Sequence, residues 1–148
     1  MGQRQEGETV RTVSEIMTPD PLVLGPEATA IDAARAMRDV NIGSVLVVDG
    51  AELVGIVTDR DIVLRVIAEN VAPGSAMLSS ISTPVDVVAA PGDLVADVVR
   101  LMRDRAVRRV PVVDGGVPVG IVSLGDLAIE QNHGSVLADI SAAAPDRL

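Results

Sequence analysis

The chain has 148 residues, a formal net charge of −9, no cysteine and no aromatic residue. Disulfides, thiolate catalysis and zinc–thiolate sites are excluded outright, and without rings there is no stacking platform for bases, while the negative charge opposes phosphate-backbone binding, so nucleic acid is not an expected partner. Apolar residues make up 48% of the chain, so the core must be aliphatic, in one compact domain or two small units sharing a core.

Residues 1–10 are polar and glycine-containing and read as a disordered N-terminal segment. Val13 to Met17 can make one helical turn, and Thr18-Pro19-Asp20-Pro21 stops it, because a residue before proline avoids the helical region. Leu22-Val23-Leu24 reads as a short strand. From about Ala28 to Val40 the apolar residues Ala30, Ala33, Ala34, Met37 and Val40 recur at three- and four-residue spacing, which predicts an amphipathic helix. Val45 to Val48 is an unbroken apolar run, as in a buried strand; Asp49-Gly50 supplies a turn, and Leu53 to Val57 returns. Thr58 opens a helix to about Glu69, and residues 71–75 form a Pro/Gly linker.

The order then repeats. Ser75 to Ile81 gives a helical turn and Val87-Val88 a strand. Leu94 to Arg105 gives a helix, Val110 to Val113 and Val117 to Val122 a strand pair, and Ser123 to about Gln131 a closing helix. His133 reads as a surface cap at the end of that helix rather than a catalytic base. Residues 132–148 read as a tail, in which Ser135 to Ala143 can form a further amphipathic turn that packs on a neighbour. There is no apolar run of about 18 residues and no charged-then-apolar leader, which predicts a soluble cytoplasmic protein without membrane contact.

Laid on residues 81–129 without a gap, residues 16–64 are identical at about two-fifths of the positions. The match is sharpest at Gly55-Ile56-Val57-Thr58-Asp59-Arg60-Asp61, which recurs as Gly120-Ile121-Val122-Ser123-Leu124-Gly125-Asp126. The junction has two readings. It is a capping box with Asp as its acid, or it is a ligand site, in which a helix N-terminus offers free N–H groups and the Asp an acceptor pair for hydroxyls. One β-α-β-β-α copy exposes an apolar sheet face that it cannot cover alone. An α/β fold of two copies, packed sheet to sheet about a pseudo-two-fold axis with clefts between them, solves this.

Ile16-Met17-Thr18-Pro19, Val47-Val48-Asp49, the two junctions, and Arg109-Val110-Pro111-Val112-Val113-Asp114 together resemble a tandem pair of CBS domains, the Bateman module, as found in stand-alone bacterial two-CBS proteins of the hypoxic-response type. The resemblance implies one repeat at 11–70 and a second at 76–131. It also implies that the module binds an adenosine-containing ligand (AMP, ADP, ATP or S-adenosylmethionine, with AMP favoured) and needs no resident cofactor. Asp61 and Asp126 would take the ribose hydroxyls, Thr58 and Ser123 would face phosphate or ribose, and Ile121 would be a further ligand contact. Arg109, with Arg108 beside it, matches a phosphate-holding position whose counterpart in the first repeat is the uncharged Ser44. Thr12, Met17 and Ile42 would line the Asp126 cleft, and Ser82 and Val107 the Asp61 cleft. Such modules pair as flat dimers through their helices and act on a separate protein effector. No constellation for catalysis or metal binding is present in the sequence, so the expectation is a non-catalytic regulator. The alternative is a stress-linked dimeric interaction protein that keeps the fold without a nucleotide ligand.

Overall fold

The computed structural model describes residues 11–131; the segment 1–10, His133 and the tail 132–148 lie outside the described residues. Each Val-rich pair of runs closes into an antiparallel hairpin. One joins β3 (Ser44–Asp49) to β4 (Glu52–Thr58), the other β6 (Arg109–Asp114) to β7 (Val117–Ser123). Their turns place Gly50 at φ +62° and Gly115 at φ +57°, a region where a Cβ is strained. Both hairpins shift register at the same place in the repeat, between Val47 and Val48 and between Val112 and Val113. The duplication is therefore copied down to its bulge.

An 11-residue helix precedes each hairpin: α2 (Ala30–Val40) and α5 (Val95–Arg105). Their starts are solved differently. Thr29 and Asp32 form a complete capping box on α2. The Thr29 backbone N–H, helped by its hydroxyl, holds the Asp32 carboxyl below the ordinary Asp range. At α5 the capping position is Leu94, whose side chain cannot accept. The Arg11 carbonyl, from far upstream, instead takes the Val95 N–H at 3.0 Å.

That last contact belongs to an exchange between the copies. The short helix α1 (Val13–Ile16) and strand β1 (Thr18–Pro19) leave their own repeat, and β1 pairs with β7, Thr18 opposite Ile121 and Pro19 opposite Gly120. Reciprocally, α4 (Leu78–Ile81) and β5 (Thr83–Pro84) cross to the first hairpin, with Gly55 opposite Pro84 and Ile56 opposite Thr83. The crossing begins at matched bridges, Thr12 with Leu94 and Thr29 with Met77. One sheet runs β2 (Val23–Leu24), β3, β4, β5 and the other β1, β7, β6.

Two aliphatic clusters follow. The first holds Ala30, Ala33, Met37, Val45, Val47 and Val57 with Leu78 and Ile81 from the second copy. The second holds Val95, Val98, Met102, Val110, Val112 and Val122 with Val13 from the first. Side chains alternate faces along a strand, so Leu46 points away from the cluster that holds Val45 and Val47. It is nevertheless wholly buried, and Pro111 and Ile121 on the other hairpin are buried too. Each sheet is thus covered on both faces, as expected of two sheets packed against each other.

Two local expectations need correction. The helix after Thr58 is α-helical only over α3 (Asp59–Ile62) and continues as a π-helical turn at Val63–Ile67. Its wider spacing shows in the bonds from Ala68 N–H to the Val63 carbonyl and from Val71 N–H to the Val66 carbonyl, both 2.9 Å. A β-branched, Val- and Ile-rich sequence pays little to leave α geometry. In the second copy, Val87-Val88 makes no strand. A single parallel bridge from Ala89 to Val112 stands in its place, with Val87 buried and Val88 exposed.

The exchanged strands approach so closely that a side chain is barred at two glycines. A Cβ on Gly120 would lie 2.9 Å from the Thr18 carbonyl oxygen and 2.9 Å from Met17 Cγ, and one on Gly55 would lie 2.9 Å from Ser82 Cβ. Gly120→Ala is expected to lower the unfolding free energy by about 1–3 kcal/mol in urea denaturation. Gly92→Ala, where the added carbon meets nothing within 4 Å, should stay near the parent. Equal effects from both would mean that strand contact at Gly120 is not the cause.

Candidate functional site

Both strand-to-helix junctions fold into the same box. At the first, the Thr58 N–H donates to Asp61 Oδ2 at 2.9 Å, and the Asp61 N–H donates back to Thr58 Oγ1 at 3.1 Å. At the second, Asp126 Oδ2 accepts the Ser123 N–H at 2.8 Å and the Ser123 hydroxyl at 3.0 Å, while the Asp126 N–H reaches Ser123 Oγ at 3.3 Å. Here α6 (Leu124–Gln131) begins. The capping reading of these residues is therefore realised, and it fixes one oxygen of each carboxylate. Function must be sought in the other oxygen, Oδ1.

The two Oδ1 atoms have different surroundings: one meets the opposite copy directly, the other through an arginine of its own copy. Asp126 Oδ1 accepts from the Thr18 hydroxyl on β1 at a long 3.4 Å. Asp61 Oδ1 lies 3.9 Å from Arg65 Nη2, whose Nη1 donates at 2.8 Å to the carbonyl of Ile81 on α4. Because α1–β1 and α4–β5 are exchanged, each carboxylate borders the seam between copies rather than an outer surface.

The remaining expected residues divide between the seams and other surroundings. Met17 lies against Gly120, and Ile121 on the same strand pairs with Thr18. Ser82 Oγ lies over Gly55 at the matching place in the other half. Val107 packs on the second cluster. Thr12 sits apart from Asp126 in its bonding: its hydroxyl contacts Ser14 Oγ at 3.2 Å and Glu15 Oε1 at 3.3 Å, and its backbone bridges Leu94.

Arg108 is exposed, and its carbonyl accepts the Leu124 N–H at 3.2 Å at the start of α6. Arg109 is opposite Ser123 in the β6–β7 register. It also lines an open cleft of about 500 Å³ with Ile42, Gly43, Met37, Asp59 and Ile62 of the first copy. The Asp59 carboxylate lies over Gly43 there, where an added Cβ would meet Asp59 Oδ2 at 3.0 Å. Arg109 thus stands between the two junctions, and Ile42 joins it rather than Asp126. No ion pair holds Arg108 or Arg109 among the described residues. Thr18, Asp59 and Arg65 were not anticipated as site residues. A comparison of the copies held a signal for Arg65, whose counterpart at position 130 is Glu.

A family model described as "CBS domain" matches residues 13–68 and 78–132. The chain belongs to the CBS-domain family. An uncharacterised protein of Bacillus subtilis, YlbB, is 40% identical over 135 residues, covering 87% of this chain and 90% of that one. Hypoxic response protein 1 of Mycobacterium tuberculosis is 30% identical over 118 residues, covering 79% and 82%. Among solved structures, the CBS domain pair of protein MJ0100 in complex with 5′-methylthioadenosine and S-adenosyl-L-methionine superposes with a TM-score of 0.73 at 27% identity, covering 84% of this chain and 98% of that one. The chain is therefore a pair of CBS domains, the regulatory module of the family. No group of acids and histidine that could hold a metal occurs among the described residues, and no helix among them is long and apolar enough to cross a membrane.

Proposed function

We propose that this CBS pair is a non-catalytic sensor of an adenosine-containing ligand, AMP foremost, held at the seam beside Asp126. The observation that carries the proposal is the state of the Asp126 carboxylate. One oxygen is locked by Ser123, and the other is turned across the seam with only a long bond to Thr18. An ionised carboxylate oxygen with spare lone pairs suits a donor such as a ribose hydroxyl. The N-terminus of α6 adds a favourable dipole for a neighbouring phosphate. Met17 supplies a polarizable apolar wall where the chain has no ring to offer a base. A nucleotide monophosphate brings about two negative charges into a protein at −9. Arg109, without an ion pair among the described residues and level with Ser123 on the neighbouring strand, is the residue to balance them. The complex with 5′-methylthioadenosine and S-adenosyl-L-methionine of the related CBS pair favours the same ligand class.

Calorimetry and thermal shift with AMP, ADP, ATP and S-adenosylmethionine test the reading. A ligand at a hundredfold excess over its Kd stabilises the folded state by about 2.7 kcal/mol. Absence of both heat and shift for all four would leave the alternative of a stress-linked interaction protein without a nucleotide.

The reading places the module in the cytoplasm and makes its output a change in assembly passed to a separate protein effector. The assembly is a homodimer. Val40 on α2, Val63, Leu64 and Ile67 on the π-helical turn and Leu124 on α6 are all exposed, and burying apolar helix surface is the usual drive for association. Size exclusion with light scattering should give twice the chain mass at micromolar concentration. Ile67→Glu should shift it toward monomer, and a wild-type monomer across that range would refute the dimer.

A further inference from the structure

We infer that Arg65 is a built-in latch that closes the Asp61 seam, so that each chain offers a single working ligand site, the one beside Asp126. The inference rests on the reading above and specifies which of the two duplicated junctions is in use. Each junction has three things to offer a ligand: the second carboxylate oxygen, the wall contributed by the exchanged segment, and the space between them. At Asp126 the wall contributes a neutral hydroxyl, Thr18, at 3.4 Å. At Asp61 all three are engaged by one guanidinium. Its Nη2 faces Asp61 Oδ1 at 3.9 Å, and its Nη1 donates at 2.8 Å to the Ile81 carbonyl on the exchanged segment. A single side chain therefore spans the seam from the carboxylate to the opposite wall. The Asp61 side chain is 17% exposed and that of Arg65 45% exposed, so the carboxylate is the more sheltered of the two.

The chemistry makes the closure effective. Ribose hydroxyls and exocyclic amines are neutral donors, whereas the guanidinium sets a cation beside the Asp61 carboxylate and gives the Ile81 carbonyl a charge-assisted bond. A ligand entering here must break the bond to Ile81 and leave a partly buried carbonyl without its donor. At Asp126 the described partner across the seam is the neutral Thr18 hydroxyl at 3.4 Å, and the sequence holds no cation four positions on. The latch sits in the π-helical turn Val63–Ile67, the one described helical stretch where the first copy departs from regular α geometry. The same contact ties the π-helical turn to α4, and thus joins the copies on the side where no ligand would bridge them.

Calorimetric stoichiometry tests this with AMP and S-adenosylmethionine on the full chain and on Arg65→Met, Arg65→Gln, Asp61→Asn and Asp126→Asn. The parent should bind one ligand per chain. Binding should be unchanged within about twofold in Asp61→Asn and lost in Asp126→Asn. Arg65→Met and Arg65→Gln should gain a second site, which Asp61→Asn then removes in the double variant. A merely structural arginine would alter stability without creating that second, Asp61-dependent site. A parent that binds two ligands per chain overturns the latch and leaves the sensor reading intact, as does a parent site that depends on Asp61. Arg65 variants that stay at one site, or lose binding, also overturn it, the latter marking Arg65 as a ligand contact. No binding by the parent but one site in the Arg65 variants upholds the latch and overturns the Asp126 reading, while no binding in any protein overturns both.

Discussion

Leu78→Ala lowers the unfolding free energy by about 2–5 kcal/mol, measured by urea denaturation with the slope held in view. Leu78 has no exposed surface, and it is buried in the cluster built around Ala33, Val45 and Val57. By sequence it belongs to the second copy; by packing it completes the core of the first. Truncation leaves a cavity that the flanking strands β3 and β4 cannot collapse into, because their other face is also covered. For a chain of this length each kcal/mol moves Tm by about 2–4 °C, so a drop of roughly 5–15 °C accompanies the loss. Leu94→Ala is the control, since Leu94 is exposed at the start of α5 and should cost far less. If Leu78→Ala and Leu94→Ala behave alike, the exchanged helix is not holding the first core.

Asp126→Ala abolishes useful ligand affinity, with Kd raised by tenfold or more, up to about several hundredfold. Each hydrogen bond to an ionised group contributes about 1.5–3 kcal/mol, and every 1.4 kcal/mol is about tenfold in Kd. The same substitution removes the acid of a capping box, which costs about 0.5–2 kcal/mol of stability. The two effects separate cleanly: circular dichroism and the melting curve report the cap, calorimetry the ligand. Asp126→Asn keeps the size of the side chain and loses the charge, so it should weaken binding with a smaller change in Tm. Retention of parent affinity in both variants would place the ligand elsewhere and remove the role given to Thr18 and Met17.

Periodicity and punctuation were enough to place most elements. The spacing of Ala30, Ala33, Met37 and Val40 marks α2, and the unbroken Val45 to Val48 run marks a strand buried on both faces, because local pattern and tertiary burial agree at those residues. The boundary at α2 shifted by two residues since Thr29, a better cap than any residue before it, completes a box with Asp32. Val87-Val88 misled for the opposite reason: β-branched residues favour extended backbone, and only one bridge was available for them to join. The π-helical turn left no signal, because its bonds depend on where Val66 and Arg65 are drawn by packing and by the Ile81 carbonyl.

The duplication was written plainly enough in the chain to give the family, the two junctions and the carboxylates at 61 and 126, since identical residues at one spacing must adopt equivalent places. What the chain alone could not express is which copy each segment serves. Exchange of 11–19 and 76–84 rests on long-range pairings such as Thr18 with Ile121, and pairings that distant leave no periodic trace. The chain did mark the two sites as unequal, with Arg109 against Ser44, but it could not show that Arg65 reaches across one seam. Arg65 and Glu130 stand at equivalent places four residues after the paired carboxylates, and that difference acquires meaning only when the fold brings Ile81 within 2.8 Å of the guanidinium.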